Sequence, residues 1–591
     1  MNINKVTAIV LMPFLVMFMI SCGKQEVDVE ADIVLKNGSV YTMEESRPWA
    51  KAIVITGNTI TAVHDKNSDV DAYISSSTNV IDLQGKFVLP GFIDSHTHLG
   101  GFGAQQNDIN LMPVTDNESL RKELTRIVGI LGDGEWITGG RWEGHKIWEA
   151  DWRERENLKK NRWEPDRWTI DDISENNPCF LSSYDRELYL ANSAALKAAD
   201  LENSKLDGMK LDSRGNPTGL IYAGSPAIQK ISEVIKSKSE ERILDEIRAG
   251  LRIMAERGIT EVHDISSENQ MQRYAILHRN GELSARIWGR LHIQGCQSIK
   301  DRNIKMNTHP VTGEQDDYLR YGGYKGYYDG LMGSHNALLS EPYSDRPGRY
   351  GQYRTDTSDD PDLMIKNPDK FFNYLKIAFE DGYSVDTHAI GDRGISELLD
   401  DYERLTKETG RELNRFRVIH AMTVQPEDFD RFAEMKLIAE VNPSQMEDDM
   451  RWVIDRLGSE REKLVYPFKT FLERGIVMTV GSDIPGAAGA AFSNHPALAI
   501  NAMVHRTKSD GTPAGGWIPE QKVSVHEALK AFTINGAYSV FDEDIRGSIK
   551  AGKLADIAVC SVNIVENPDD ILKMDIEMTI VDGNIVFERI K

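Results

Sequence analysis

Cysteine is scarce in this chain. Only Cys22, Cys179, Cys296 and Cys560 occur in 591 residues, at no paired spacing. That speaks against a disulfide framework and against a cysteine-type zinc site. Positive charge is also short: 69 Lys and Arg stand against 92 Asp and Glu, a net charge of −23. A phosphate binder needs a basic footprint, so nucleic acid is not an expected partner. The acidic surplus serves solubility. Long apolar runs are missing except for one, Val6 to Ile20 behind Lys5. It is shorter than the ~20 residues of a spanning helix and matches the core of an export signal. The rest is ordinary, with 40% hydrophobic and 27% charged residues, in a chain long enough for one large catalytic domain plus satellites.

The apolar run ends in Met19-Ile20-Ser21-Cys22, which resembles a bacterial lipobox. Met19 is a mild departure from the usual Leu. The resemblance implies a signal peptide over 1–21, lipidation of Cys22 and a tether over 22–30. The expectation is an exported lipoprotein, held to a membrane of the bacterial cell envelope by its lipid. The alternative is an ordinary signal peptide with an incidental cysteine.

Beyond the tether, Ile33-Val34-Leu35 before Asn37-Gly38 and Ile53-Val54-Ile55 before Gly57-Asn58 read as strands with hairpin signals. The far end matches, with Ile557-Ala558-Val559, then Met578 to Val581 before Asp582-Gly583-Asn584. Two strand-rich ends suggest a β-sandwich built from 31–86 and 545–591. The middle alternates helix and strand. Leu244, Ile247, Leu251 and Met254 share a helical face, Gly258 can cap, and an extended run follows. Phe371, Leu375 and Phe379 before Gly382, and Phe468, Phe471 and Leu472 before Gly475, repeat the pattern. The strands read Phe87 to Ile93, Ile259 to His263, Arg286 to His292, Tyr324 to Tyr328, Tyr383 to Thr387, Phe416 to Ile419, Leu437 to Val441 and Ile476 to Val480. Eight strands with intervening helices predict an α/β fold, a (β/α)₈ barrel over 87–544. More than a hundred residues separate the first two strands, too many for a loop, so 99–243 is expected to be an inserted subdomain. Its tryptophans, Trp136, Trp142, Trp148, Trp152, Trp163 and Trp168, are expected to form a small aromatic core, the alternative being that some line the mouth of the pocket.

The chemistry begins in the run from Phe87 to His98. His96 and His98 stand two apart, and on a strand that spacing puts two imidazoles on one face. Neutral imidazole is a standard metal ligand. A lone His-x-His is weak, but other strands also end in polar groups: Lys325 on the fourth, His388 on the fifth, His420 on the sixth, Asp483 after the eighth. Buried ionisable groups are costly unless paired or metal-bound, so a set converging on one barrel mouth signals a two-metal hydrolytic site.

At this point the chain resembles the amidohydrolase superfamily, in the YtcJ-like branch that includes N-substituted formamide deformylases. The resemblance rests on Leu89-Pro90-Gly91-Phe92-Ile93-Asp94-Ser95-His96-Thr97-His98, Asn192-Ser193-Ala194-Ala195-Leu196, Gly258 to Asp264, Lys325 four residues before Asp329-Gly330, and Gly547 to Asp556. It implies His96, His98, Lys325, His388, His420 and Asp483 as ligands of one or two divalent ions, zinc first among them. It implies hydrolysis of an amide-type C–N bond in a small molecule by metal-activated hydroxide, with Asp483 as proton shuttle. Two metals need an anionic bridge, which a carboxylated Lys325 would supply; otherwise Lys325 pairs with a carboxylate such as Asp329. Deamination of a ring amidine, ester or lactone hydrolysis, or ligand binding without chemistry are the alternatives. His263 reads as a supporting or core residue. Arg186-Glu187 replace a Gly-His pair common in relatives, which puts the substrate in doubt. Nothing in the sequence sets an oligomeric state.

Overall fold

A computed structural model describes residues 30–144, 157–158, 161–354, 368–486 and 494–589. The signal segment 1–21, Cys22, most of the tether, Trp148 and Trp152 lie outside the described residues.

Eight parallel strands form the central sheet. They are β1 (Phe92–Thr97), β2 (Ile259–Ser266), β3 (Arg286–His292), β4 (Leu319–Tyr327), β5 (Val385–Ala389), β6 (Arg417–His420), β7 (Ile438–Val441) and β8 (Val477–Val480). Each pairs in parallel with its sequence neighbour. The sheet closes at the mouth, where Asp483 N–H donates to His96 O at 2.7 Å and His98 N–H to Ile484 O at 2.9 Å. This is the (β/α)₈ barrel, with a helix in each interval. The helix Glu240–Glu256 shows why these segments fold as they do. Ser239 accepts from Arg242 N–H at the N-cap, the four expected apolar residues are buried, and Gly258 adopts φ 71° just past the end.

Two strand assignments change. Phe87–Pro90 and Phe92–Thr97 are separate strands in different sheets. Gly91 is where the chain crosses over, and a Cβ there would lie 2.2 Å from Thr260 side-chain atoms. The fourth strand begins at Leu319, five residues before Tyr324. Gly322 and Gly323 lie just before the expected start of that strand. In the barrel they are strand residues crowded by Trp288, whose Cδ2 would sit 2.3 Å from a Cβ on Gly322.

The terminal strands form two further sheets. One has four strands, all from residues before Phe87; the other has six and unites both ends of the chain through Phe87–Pro90 paired with Ile557–Cys560. Gly57-Asn58 closes a true hairpin, with Thr56 opposite Thr59, and Asp582-Gly583 closes another, with Val581 opposite Asn584. Asn37-Gly38 does not: the strands on either side of it lie in different sheets, so this turn passes the chain from one layer to the other.

The interval after β1 carries its own five-stranded sheet. Among the described residues its tryptophans do not make one core. Trp142 is buried and packs edge-on to Trp163, Trp136 belongs to a second cluster with Phe180, and Trp168 is exposed. The sheet splits the apolar residues between its two faces, which sequence spacing could not show. Arg186 takes a left-handed φ of 60° in the tight turn at Asp185–Glu187, and both flanking carboxylates pair with Arg162. Among the described residues no helix is long and apolar enough to cross a membrane.

Candidate metal centre

Every residue of the expected set sits at the C-terminal end of the barrel. His96 is near the end of β1 and His98 follows it; Lys325 lies in β4, His388 in β5, His420 ends β6, and Asp483 follows β8. The chain after β8 is pressed onto β1 at this point. A Cβ on Gly481 would lie 2.3 Å from His96 Cβ, so only glycine allows the approach. Asp94 staples the same junction, accepting Ser482 N–H at 2.8 Å and Ser482 Oγ–H at 2.6 Å. His420 (φ 71°) and Asp483 (φ 57°) both occupy the left-handed region. Such backbone costs energy and concentrates at functional sites.

Three groups converge directly. Asp483 Oδ1 lies 3.3 Å from His96 Nε2 and 3.2 Å from His98 Nε2. One potential ligand atom from each of these residues falls within 4.8 Å of the others. The ring of His420 stands 5.5 Å from that of His96 and 4.5 Å from that of His388. Lys325 is buried beside them, with its Nζ 4.9 Å from the Tyr327 ring centre. His98 is the most open member, 37% exposed in its side chain, and so marks the solvent side.

The electrostatics favour neutral ligands. Burial lowers the His96 and His388 imidazoles well below their ordinary value; Lys325 adds to the effect at His96 and His420 at His388. Burial also takes His420 down to about 4. Lys325 falls to about 7, first through burial and then through the Arg290 guanidinium. Burial pushes the Asp483 carboxyl up, but the imidazoles around it more than offset that and hold it well below the usual range.

Beneath the centre, β7 carries Glu440, fully buried. Its Oε1 lies 2.9 Å from His96 Nδ1. Arg290 Nη1 donates to Glu440 Oε2 at 3.0 Å and Arg417 Nη1 to the same oxygen at 2.9 Å. Asp386 shares both guanidinium groups, at 3.1 and 3.4 Å. His263 belongs to this layer, with its Nδ1 2.9 Å from Arg417 Nη1. Asp329 does not pair with Lys325. It accepts backbone N–H groups from Leu338, Ile390 and Gly391, and its Oδ1 lies 3.6 Å from His388 Nε2.

Glu440, Asn442, Gln445, Arg290, Arg417 and Asp386 are absent from the sequence reading. The available signal was a charge inside an apolar strand, as in Leu437-Ile438-Ala439-Glu440-Val441. Such a group must find a partner. Only the closed barrel shows which one.

The donor set fits a metal. Both ring nitrogens of His96, and His388 Nε2, are buried without a hydrogen-bond partner, His96 Nδ1 having only the ion-pair approach of Glu440. An orphaned imidazole nitrogen is costly in a dry site, and a cation facing lone pairs on such rings relieves the cost. A second cluster, His278, His309 and Asp316, has similar spacing. There His309 Nδ1 accepts Val311 and Thr312 N–H, and Asp316 Oδ1 accepts Tyr318 and Leu319 N–H. Those lone pairs are spent on holding a loop.

A family model described as "Amidohydrolase family" matches residues 79–587. The chain belongs to the amidohydrolase family. It is 30% identical to Protein LONG AFTER FAR-RED 3 of Arabidopsis thaliana over 550 residues, covering 90% of this chain and 88% of that one. It is 23% identical to the N-substituted formamide deformylase of Arthrobacter pascens over 576 residues, covering 94% and 98%. An uncharacterized metal-dependent hydrolase from Pyrococcus furiosus shares the fold, with a TM-score of 0.67 at 24% identity over 90% of this chain and 99% of that one. Amidohydrolase membership places the chain in a superfamily of metal-dependent hydrolases.

Proposed function

We propose that the protein hydrolyses an amide-type C–N bond in a small molecule, such as an N-substituted formamide or a related N-acyl or cyclic amide. The reading rests on one observation: a single carboxylate oxygen of Asp483 stands within 3.3 Å of two imidazole nitrogens, His96 Nε2 and His98 Nε2. Lys325, His388 and His420 complete the ligand set around it. The relative named for formamide deformylation supports the substrate class.

When bound, one or two divalent ions, zinc first, would acidify water and polarise the scissile carbonyl. The imidazoles of His96, His388 and His420, kept neutral by burial, hold position without repelling a cation. Asp483 stays ionised at neutral pH, so its carboxylate takes the proton of the attacking water and passes it to the leaving nitrogen. His98 faces the solvent side, where the substrate enters. Lys325, with its amine neutral, would add carbon dioxide at nitrogen and release one N–H proton to solvent, giving a carbamate that would supply anionic oxygen to bound metal. Ahead of this domain, residues 1–21 direct export and lipid on Cys22 anchors the protein to a membrane of the cell envelope.

A substrate panel tests the activity. N-formyl, N-acyl and cyclic amide compounds are offered beside esters and lactones to zinc-loaded protein, before and after chelation. Turnover of an amide that chelation abolishes and zinc restores is the expected result. Full activity after complete metal removal refutes metal dependence, and turnover confined to esters or lactones refutes the bond type.

A further inference from the structure

We infer that β7, which supplies no ligand itself, is the strand that orients the metal centre, through Glu440, Asn442 and Gln445 as positioning residues. This rests on the metal-hydrolase reading above and adds a role that the ligand set does not contain.

The placement follows from strand geometry. Glu440 lies in β7, and Asn442 is the first residue past its end at Val441. Gln445 lies within the single 3₁₀ turn Pro443–Gln445 that follows. The three side chains reach three groups on three other strands: Glu440 meets His96 of β1, Asn442 meets His420 of β6, and Gln445 meets Asp483 after β8.

Each contact fixes one chemical choice. The Glu440 carboxylate stands 2.9 Å from His96 Nδ1, an ion-pair approach without a formed hydrogen bond, and this holds the ring with Nε2 facing the site. Arg290 and Arg417 clamp the Glu440 carboxylate from below, so it cannot swing away. The Asn442 amide has a defined orientation, because its Nδ2 donates to Gly481 O at 2.8 Å. Its Oδ1 therefore accepts from His420 Nδ1 at 2.7 Å, and again Nε2 is left as the ligand atom. Gln445 Nε2 donates to Asp483 Oδ2 at 3.0 Å, which turns Oδ1 toward the two imidazoles. One tautomer, one ring orientation and one carboxylate orientation are thus set from β7 and the turn that follows it. Groups that hold ligands in this way typically change metal affinity by ~10–100-fold when removed.

Cobalt(II) is the probe, because its visible absorption reports ligand geometry without any substrate. Affinity is measured by competition with a chelator for the parent, Asn442→Ala, Asn442→Asp, Gln445→Ala and Glu440→Gln. The melting midpoint of each metal-free protein is taken alongside. Asn442→Ala and Gln445→Ala are expected to lose ~10–100-fold in cobalt affinity and to shift the visible bands, with the metal-free midpoint near the parent value. Asn442→Asp keeps an acceptor for His420 and is expected to recover affinity. Glu440→Gln leaves two buried guanidinium groups short of charge, so if it fails to fold the other variants decide. Affinity and spectrum unmoved at both Asn442 and Gln445 overturn the orienting role. A loss that tracks a fallen metal-free midpoint, with no recovery in Asn442→Asp, shows a merely structural role and overturns it too. A parent protein that takes up no cobalt overturns the hydrolase reading itself.

Discussion

Replacing Asp483 by Asn is the sharpest single perturbation. It keeps shape and volume while removing one charge. In the parent, Oδ1 faces His96 Nε2 at 3.3 Å and His98 Nε2 at 3.2 Å, and Oδ2 accepts from Gln445. An amide can meet that environment in two ways. With its NH₂ toward the imidazoles, it donates into the lone pairs that a cation needs. With its NH₂ toward Gln445, two donors face each other and the Gln445 bond is lost. Either orientation weakens metal binding, and both remove the proton acceptor. Loss of general acid–base catalysis alone is ~10²–10⁴-fold, about 2.7–5.5 kcal/mol of barrier at ~1.36 kcal/mol per tenfold. The assay is kcat and KM on an amide that the parent hydrolyses, with metal content measured on the same samples. The expected result is a kcat lowered at least ~10²-fold at full zinc, and sub-stoichiometric metal at limiting zinc. A variant with parental metal content and kcat within tenfold would refute both roles given to Asp483.

Lys325→Ala should lose metal and activity, and acetate or propionate should partly restore both by filling the space of the proposed carbamate; an unmodified Lys325 amine in a fully metallated, active crystal structure would rule the carbamate out. Cys22→Ser should move the protein from the membrane fraction to the soluble one, since lipid on that cysteine is the anchor proposed, and persistence on salt-washed membranes would reject the lipoprotein reading. Asp449 gives a pH test away from the ligands. Burial raises its carboxyl to about 7, against ~3.9 in an unfolded chain. Between those values the unfolded state releases a proton that the folded state keeps, so stability falls as pH rises from ~3.9 to about 7. Asp449→Asn removes this slope while keeping an acceptor for Tyr466 Oη, which lies 2.5 Å from Asp449 Oδ2. Relative to the parent it should gain up to a few kcal/mol on going from pH 5 to pH 8 in denaturant melts, and parallel curves would exclude the assignment.

The order of chemical groups along the chain was settled by sequence. A barrel strand must bury both faces, so its polar residues stand out against Val, Ile and Leu. That contrast makes His96, His98, His388 and His420 visible, and helix periodicity with a closing glycine makes Glu240–Glu256 visible for the same reason. Local rules reached their limit where two remote segments meet. Gly322 and Gly323 fall outside the expected fourth strand because the crowding by Trp288 is invisible in one dimension. Gly91 hid a change of sheet, and Asn37-Gly38 passes the chain between layers where a hairpin was expected. The contacts that orient the centre belong to the same class. Glu440 meets His96 across 344 residues of chain, and Asn442 and Gln445 likewise reach groups on other strands. A strand's sequence can show that a charge must be paired, because desolvation forbids leaving it alone. Which group pairs with it is fixed by closure of the barrel, since closure sets which strand ends face one another.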